Sequence, residues 1–382
     1  MNREGCQGNR SAVRRSPFAV RRSPFAVWRL AFGVRGSGFG GDRRRLIGPR
    51  GQSYCSYRSH LTCVTCLTYC QSTPPTVQRQ TPNAELRTPN GERQTPNGVQ
   101  WVTGKVGEWL QGTDENGDPI VFPFTTTSSP FQTLTAIEPA PNLSIVAEPP
   151  STGAKQKTEL AVKEMAVTCG FAADCHYRIT ILNSPPAGKG LGSSSIDVAS
   201  ALLAIKHHRN LDVSEATLFQ IMCRVERSDF LFRPEQIIAT NPVAGSSSTV
   251  GNAPHCVLLA WDTAPAEHVD TEAVRHLDLA RHRFSQDYQE LCSLMQSHDP
   301  ATLFYASTRS AELNDQLLPK RGFSLANRLA DDFHALGIVA AHTGTYLGIV
   351  FPSSVDQALL TSVRAKLVKE LSVEPLLFEV GA

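Results

Sequence analysis

No run of 18 apolar residues occurs anywhere in the 382-residue chain, which excludes a helix able to span a membrane. Lysine is missing from the first hundred residues, which hold sixteen Arg against four acids (Glu4, Asp42, Glu85 and Glu92) and carry +12. The other 282 residues carry −10, so the overall +2 averages two compositionally unrelated pieces and signals no affinity for nucleic acid. The first piece lacks aliphatic periodicity and cannot bury a sizeable core; the second is long enough for one large or two modest domains. A second Cys-x-x-Cys is also lacking. Cys63 and Cys66, with Cys55 and Cys70 nearby, therefore make a poor zinc site.

What the first hundred residues do contain is repetition. Ser16-Pro-Phe-Ala-Val-Arg-Arg is followed by Ser23-Pro-Phe-Ala-Val-Trp-Arg, and Thr81-Pro-Asn, Thr88-Pro-Asn and Thr95-Pro-Asn recur with the same period of seven. Pro in the better-formed units excludes a coiled coil, and seven residues are too few for a stackable solenoid unit. Two unlike peptides sharing one period are what a seven-nucleotide tandem repeat yields when translated. Residues 1–100 are accordingly expected to be a disordered arm or a mis-assigned start. An Arg-rich, acid-poor start also has the composition of a transit peptide or a nucleic-acid-binding arm.

Beyond residue 100 strand and helix signals alternate. Residues 120–124, 131–137, 143–147 and 176–182 read as strands, the last alternating polar with apolar. Helices are expected at 194–208, at 214–224 behind an Asp212/Glu215 capping box, through 284–313 and at 324–336. Strands at 337–341 and 346–351, a helix from Val355 and a strand at 376–380 complete an α+β pattern in two lobes. Cys169, Cys175, Cys223, Cys256 and Cys292 are scattered in apolar surroundings, as reduced thiols of a cytoplasmic protein would be.

The chemistry concentrates in Pro185-Pro-Ala-Gly-Lys-Gly-Leu-Gly-Ser-Ser-Ser-Ile-Asp197, between an expected strand and an expected helix. Gly188, Gly190 and Gly192 let the backbone turn sharply and present successive N–H groups, and Ser193, Ser194 and Ser195 bring hydroxyls to a helix N-terminus. Amide donors and the positive end of a helix dipole make an anion cradle. Lys189 adds a full charge. An ordinary Ser-capped Gly turn is the plainer reading. The spacing is neither that of a Walker A loop nor, with Ser193 where a third Gly would stand, that of a dinucleotide fingerprint.

The run Pro186-x-x-x-Gly190-Leu191-Gly192-Ser193-Ser194, with Ala187, Gly188, Lys189 and Ser195 inside or beside it, resembles the phosphate-binding motif of the GHMP kinases. Gly107-Glu108-Trp-Leu-Gln111-Gly112 and Ala340-Ala-His342-Thr343-Gly344-Thr-Tyr-Leu-Gly348 fall where that family's first and third motifs lie. Within the family the chain is most similar to L-threonine kinases of cobalamin biosynthesis, through Glu226-Arg-Ser-Asp229 and the segment 317–323. Where that group opens its first motif with Cys-Pro-Ala-Ser-Cys, this chain has Val102-Thr-Gly-Lys-Val106.

The resemblance implies a two-lobed GHMP kinase fold. A ribosomal-protein-S5-like, ATP-binding lobe is expected over residues 101–255 and a ferredoxin-like α/β lobe over 256–382. It implies ATP and Mg²⁺ as cofactors, with Ser193 or Ser194 and Glu226 as metal ligands, although Glu226 read alone is a solvated helix-end acid. Lys189 is expected to steady phosphate oxygens. Asp229 is expected to accept the substrate proton, to hold its ammonium group, or merely to pair with Arg224 or Arg227. Glu108, Gln111, His342 and Gly344 are candidates for substrate or loop-ordering contacts, His342 also for a core histidine. The expected reaction is phosphorylation of the L-threonine hydroxyl. Homoserine kinase, or a catalytically silent sensor or nucleic-acid binder of the same fold, are the alternatives.

Overall fold

The computed structural model describes residues 100–114, 116–148, 152–172, 176–267, 269 and 282–381. The arm and its cysteines, and Cys175, lie outside the described residues.

Two sheets organise the chain. The smaller has the order β1-β4-β6-β5, formed by β1 (Gln100–Val102), β4 (Thr133–Pro139), β6 (Tyr177–Leu182) and β5 (Ser144–Glu148). Neighbours are antiparallel except β5 and β6, which run parallel with Ser144 opposite Arg178. A parallel pair needs a crossover, and α1 (Thr152–Cys169) supplies it. On β6 Ile179 and Ile181 are buried while Arg178 is exposed, the alternation expected of a half-buried strand. Their buried face packs with Val162 and Met165 of α1, with Val198, Leu202 and Ile205 of α2 (Ser193–His208), and with Leu218 and Ile221 of α3 (Glu215–Val225).

The larger sheet is antiparallel throughout, in the order β12-β9-β11-β10-β2-β3-β7-β8. Its strands are β2 (Lys105–Thr113), β3 (Pro119–Thr125), β7 (Gln236–Asn241), β8 (Ser246–Asn252), β9 (Cys256–Asp262), β10 (Gly337–Ala340), β11 (Tyr346–Pro352) and β12 (Leu376–Val380). This sheet takes strands from both sides of the 255/256 boundary, because β2 lies beside β10. Both faces of its centre are covered. Tyr346 and Val350 join a core with α4 (Ser285–Leu294) and α5 (Pro300–Asp315). Leu347, Ile349 and Phe351 join another with α6 (Phe323–Asp332) and α7 (Gln357–Leu371).

Three helix boundaries differ from expectation for local reasons. Ser214, not an Asp212/Glu215 box, caps α3: its Oγ accepts from Thr217 N at 3.1 Å, and Glu215 pairs with Arg233 at 2.6 Å. The single helix expected over 284–313 is two: α4 ends at Leu294, and Pro300, whose missing N–H is no loss in a first helical turn, opens α5. Asp299 caps α5 by accepting from Thr302 N at 3.0 Å. The helix expected at 324–336 ends at Asp332, and His334 takes a left-handed conformation (φ 50°) that leads directly into β10.

Candidate active site

The glycine loop leaves β6 and enters α2 as expected, with Gly188, Gly190 and Gly192 all at positive φ. Leu191 is buried in the larger core and anchors the loop, while Pro186 and Ala187 are exposed. The loop carbonyls are consumed by the protein. Gly188 O accepts from Val269 N at 3.3 Å, Lys189 O from Thr345 N and Tyr346 N at 3.1 and 3.2 Å, and Gly190 O from Gly107 N at 3.1 Å. With these carbonyls turned inward, the N–H side of the loop and the α2 N-terminus are left to an anion.

The two flanking motifs serve this packing. A Cβ on Gly344 would lie 2.2 Å from Gly190 N, and one on Gly107 would lie 2.5 Å from Ala340 O, so only glycine fits at either point. Gly344 therefore packs directly against the loop backbone.

Ser194 and Glu226 converge. The Ser194 hydroxyl donates to Glu226 Oε1, and the other carboxylate oxygen, Oε2, accepts from Lys157 of α1. Ser194 rather than Ser193 faces the acid. Glu226 is the C-terminal cap of α3 in extended conformation, which swings its side chain back toward α2. Two hard oxygens side by side at a helix N-terminus are a donor set suited to Mg²⁺.

Asp229 belongs to a second, deeper network. Lys105 Nζ donates to Asp229 Oδ1 at 2.8 Å and to Glu108 Oε1 at 2.5 Å, and Asp229 N donates to Ser195 Oγ at 3.1 Å. Glu108 Oε2 accepts from His342 N at 2.7 Å and from the ring Nδ1 at 3.1 Å. With Nδ1 facing two acceptors, Glu108 and Ala340 O, it carries a proton, and Nε2 shares a hydrogen bond of 2.9 Å with the Ser310 hydroxyl. Asp229 thus pairs with Lys105, and Arg224 turns to Glu164 at 3.6 Å.

The electrostatics follow from burial. Burial alone would lower the Lys105 ammonium, but the charges of Asp229 and Glu108 outweigh it and the group is raised. Burial would raise Glu108, and Lys105 and His342 reverse this to hold it well below the usual carboxylate range. Asp229 is raised: burial and the nearby Glu108 charge exceed what Lys105 removes. Glu108 and His342 are only 1% and 0% exposed, so they order the site from beneath. Gln111, expected beside them, is half-buried further along β2 opposite Val121.

Asp197 had no assigned role and lies buried on α2, accepting from the Ser184 hydroxyl. Burial pushes it to about 7, the Ser184 bond opposing and the Glu226 charge adding. A carboxyl raised from its ordinary 3.8 binds its proton more tightly in the folded than in the unfolded chain. Stability should therefore fall as pH rises from about 4 to about 7 and level off above. Asp197→Asn is expected to flatten that fall and raise the melting temperature at pH 8; an unchanged melting profile across this range would count against the assignment.

Lys189 departs from expectation. Its ammonium is turned away from the anion side, onto Asp262 Oδ2 at 2.9 Å and the carbonyls of Ala264, Pro265 and Glu267 at 2.9, 3.1 and 2.5 Å. Lys105, Lys157, Ser310 and Asp262 are the functional neighbours that sequence reasoning left unassigned; Lys105 alone stood inside a quoted motif.

An open cleft of about 460 Å³ lies elsewhere, among Asp114, Asp118, Asn241 and Ser246. Its polar groups close their own turns: Asp114 Oδ1 accepts from the N–H of Asn116 and Asp118, and Asn241 Oδ1 from Val243 and Ala244.

Residues 156–230, which run from α1 through the loop to Phe230, match the family described as "GHMP kinases N terminal domain". Among solved structures, the mevalonate kinase of Methanococcus jannaschii superposes with a TM-score of 0.58 at 11% identity, covering 76% of this chain and 100% of that one. A putative homoserine kinase from Listeria monocytogenes does so at 0.51 and 16%, covering 74% and 97%. The fold is shared with these GHMP kinases, and the segment that holds the glycine loop matches the N-terminal domain of that family. In sequence the chain is similar to the L-threonine kinase of Salmonella typhimurium, 24% identical over 216 residues (54% of this chain, 71% of that protein). It is likewise similar to the L-threonine kinase of Citrobacter freundii, 28% identical over 183 residues (45% and 62%). Among the described residues no helix is long and apolar enough to cross a membrane.

Proposed function

We propose that this kinase transfers the γ-phosphoryl group of ATP to the side-chain hydroxyl of L-threonine, giving O-phospho-L-threonine. The observation that carries the reading is the adjacency of two carboxylate systems around one helix N-terminus, Ser194–Glu226 and Lys105–Asp229. The similarity to L-threonine kinases supplies the acceptor, and the motif resemblance noted above suggests a place in cobalamin linker synthesis.

In this reading the N–H side of the glycine loop holds phosphate oxygens, and Ser194 and Glu226 hold Mg²⁺. A divalent ion held by Ser194 and Glu226 would supply charge neutralisation to the phosphates. Asp229, raised by burial, accepts the hydroxyl proton, because a carboxylate of raised pKa is the better base. Lys105 holds that carboxylate in place through a hydrogen bond on one oxygen only, Oδ1. Glu108 and His342 fix Lys105 from below and touch no substrate.

The second reading is homoserine as acceptor, since a homoserine kinase shares the fold. The two substrates differ in where the hydroxyl sits and in one methyl, a difference worth roughly 10–200-fold in selectivity in a fitted pocket. The full chain assayed with MgATP is expected to favour L-threonine over L-homoserine by at least about tenfold in kcat/KM. The reverse preference would move the assignment to the second reading, and transfer to neither would overturn both.

A further inference from the structure

We infer that Lys189 is a positioning residue whose ammonium plugs an oxygen-lined socket on the turn after β9 and so holds the phosphate loop with its donors outward. The inference rests on the kinase reading above but concerns a different job from the phosphate contact that a lysine in such a loop suggests.

An ammonium has three N–H groups. Four oxygens lie within 3.1 Å of Lys189 Nζ: Asp262 Oδ2 and the carbonyls of Ala264, Pro265 and Glu267. No donor is left for a phosphate, and the side chain is 8% exposed. To reach an anion it would have to abandon a carboxylate and three carbonyls together, leaving them without their cation.

The socket is held together by its own hydrogen bonds. Asp262 closes β9, and its other oxygen, Oδ1, accepts from Ala264 N at 3.0 Å, which folds the turn so that its carbonyls point inward. Thr263 donates to Thr345 O through both its N–H, at 3.0 Å, and its hydroxyl, at 2.6 Å. Asp262 also stands opposite Tyr346 in the sheet. The turn is thereby fastened to the start of β11.

The main chain of Lys189 is held as well. Its carbonyl takes the N–H groups of the same Thr345 and Tyr346. One residue is held at both ends, its carbonyl by β11 and its ammonium by the turn that β11 supports. The flanking carbonyls of Gly188 and Gly190 go to Val269 and Gly107. Three successive carbonyls facing the protein force the intervening amides toward the anion side, which is the orientation the loop needs.

The two roles predict opposite effects at Asp262. If Lys189 were a phosphate ligand, Asp262→Asn would release it and leave MgATP binding unchanged or tighter. If Lys189 is a plug, Asp262→Asn empties the socket of its charge and weakens binding.

The experiment uses full-length wild type, Lys189→Met, Asp262→Asn and the double variant. MgATP affinity is measured calorimetrically, and hydrogen exchange at the Thr345 and Tyr346 amides is followed without nucleotide. Each single change is expected to raise the Kd about tenfold or more, and the double to be no worse than the weaker single, as for two halves of one contact. Exchange at both amides is expected to accelerate in all three variants. A neutral Asp262→Asn, with Lys189→Met costing the same in either background, would overturn the inference, as would unchanged exchange. Should wild type bind no MgATP, the kinase reading fails and the exchange result alone decides the plug.

Discussion

Glu226→Gln is expected to fold normally and to lose transfer by roughly 10²–10³-fold in kcat, the range seen when one preorganised electrostatic group is removed from an active site. Glutamine keeps the shape of the side chain and can still accept from the Ser194 hydroxyl. What disappears is the negative charge that balances Lys157 and that a divalent ion would need. The fold should tolerate the change because Glu226 caps α3 through its backbone, its N–H donating to Met222 O at 3.0 Å. An unchanged melting temperature, a raised Mg²⁺ concentration for half-activity and a collapsed kcat are therefore expected together. Full activity in this variant would remove Glu226 from the metal site.

Lys105→Met should have the largest effect on stability. It leaves the Asp229 and Glu108 carboxylates facing one another without the cation that joins them, and breaking a buried pair in this way costs about 3–5 kcal/mol. The pH dependence gives the loss a signature. Glu108 is depressed in the folded chain, so its contribution is present above its unfolded value and is lost as pH falls through the folded one. In Lys105→Met the depressing partner is gone and the carboxylates can be protonated at little cost. The deficit relative to wild type is therefore expected to be greatest near pH 8 and to shrink below about pH 5. Urea unfolding of both proteins at the two pH values measures this, and a deficit independent of pH would mean that Lys105 contributes packing rather than charge.

The elements that could be read from sequence were those with strong local signals. β12 runs over residues 376–380 as expected, and the glycine loop sits between β6 and α2 because Gly and Ser chemistry is local. Helix α1 escaped because exposed Leu160 and Val167 blur the apolar stripe of Ala161, Val162 and Met165 that faces the core. Strand β8, Ser246–Asn252, is an edge made of Ser, Thr, Gly and Asn around a single Val, and nothing in that composition announces a strand. At the site, Glu226 and Asp229 could be found through a motif, whereas their partners Lys157 and Lys105 lie 69 and 124 residues away in the chain. Lys189 misled for the opposite reason: charge and position suggest an anion, but the side-chain direction is set by a turn more than seventy residues downstream.

The anion loop is held by Gly107 on one side and by Thr345 and Tyr346 on the other, segments from opposite ends of the folded chain. Such long-range closures form late, because the entropy of joining distant segments must be met before the contacts are made. A nascent chain that has released its residues only as far as β9 has the whole Gly-Ser loop but neither β10 nor β11 to brace it. Under the proposed function, competence to grip a nucleotide is expected only once β11 is in place, and a fluorescent nucleotide would report that closure rather than the onset of folding.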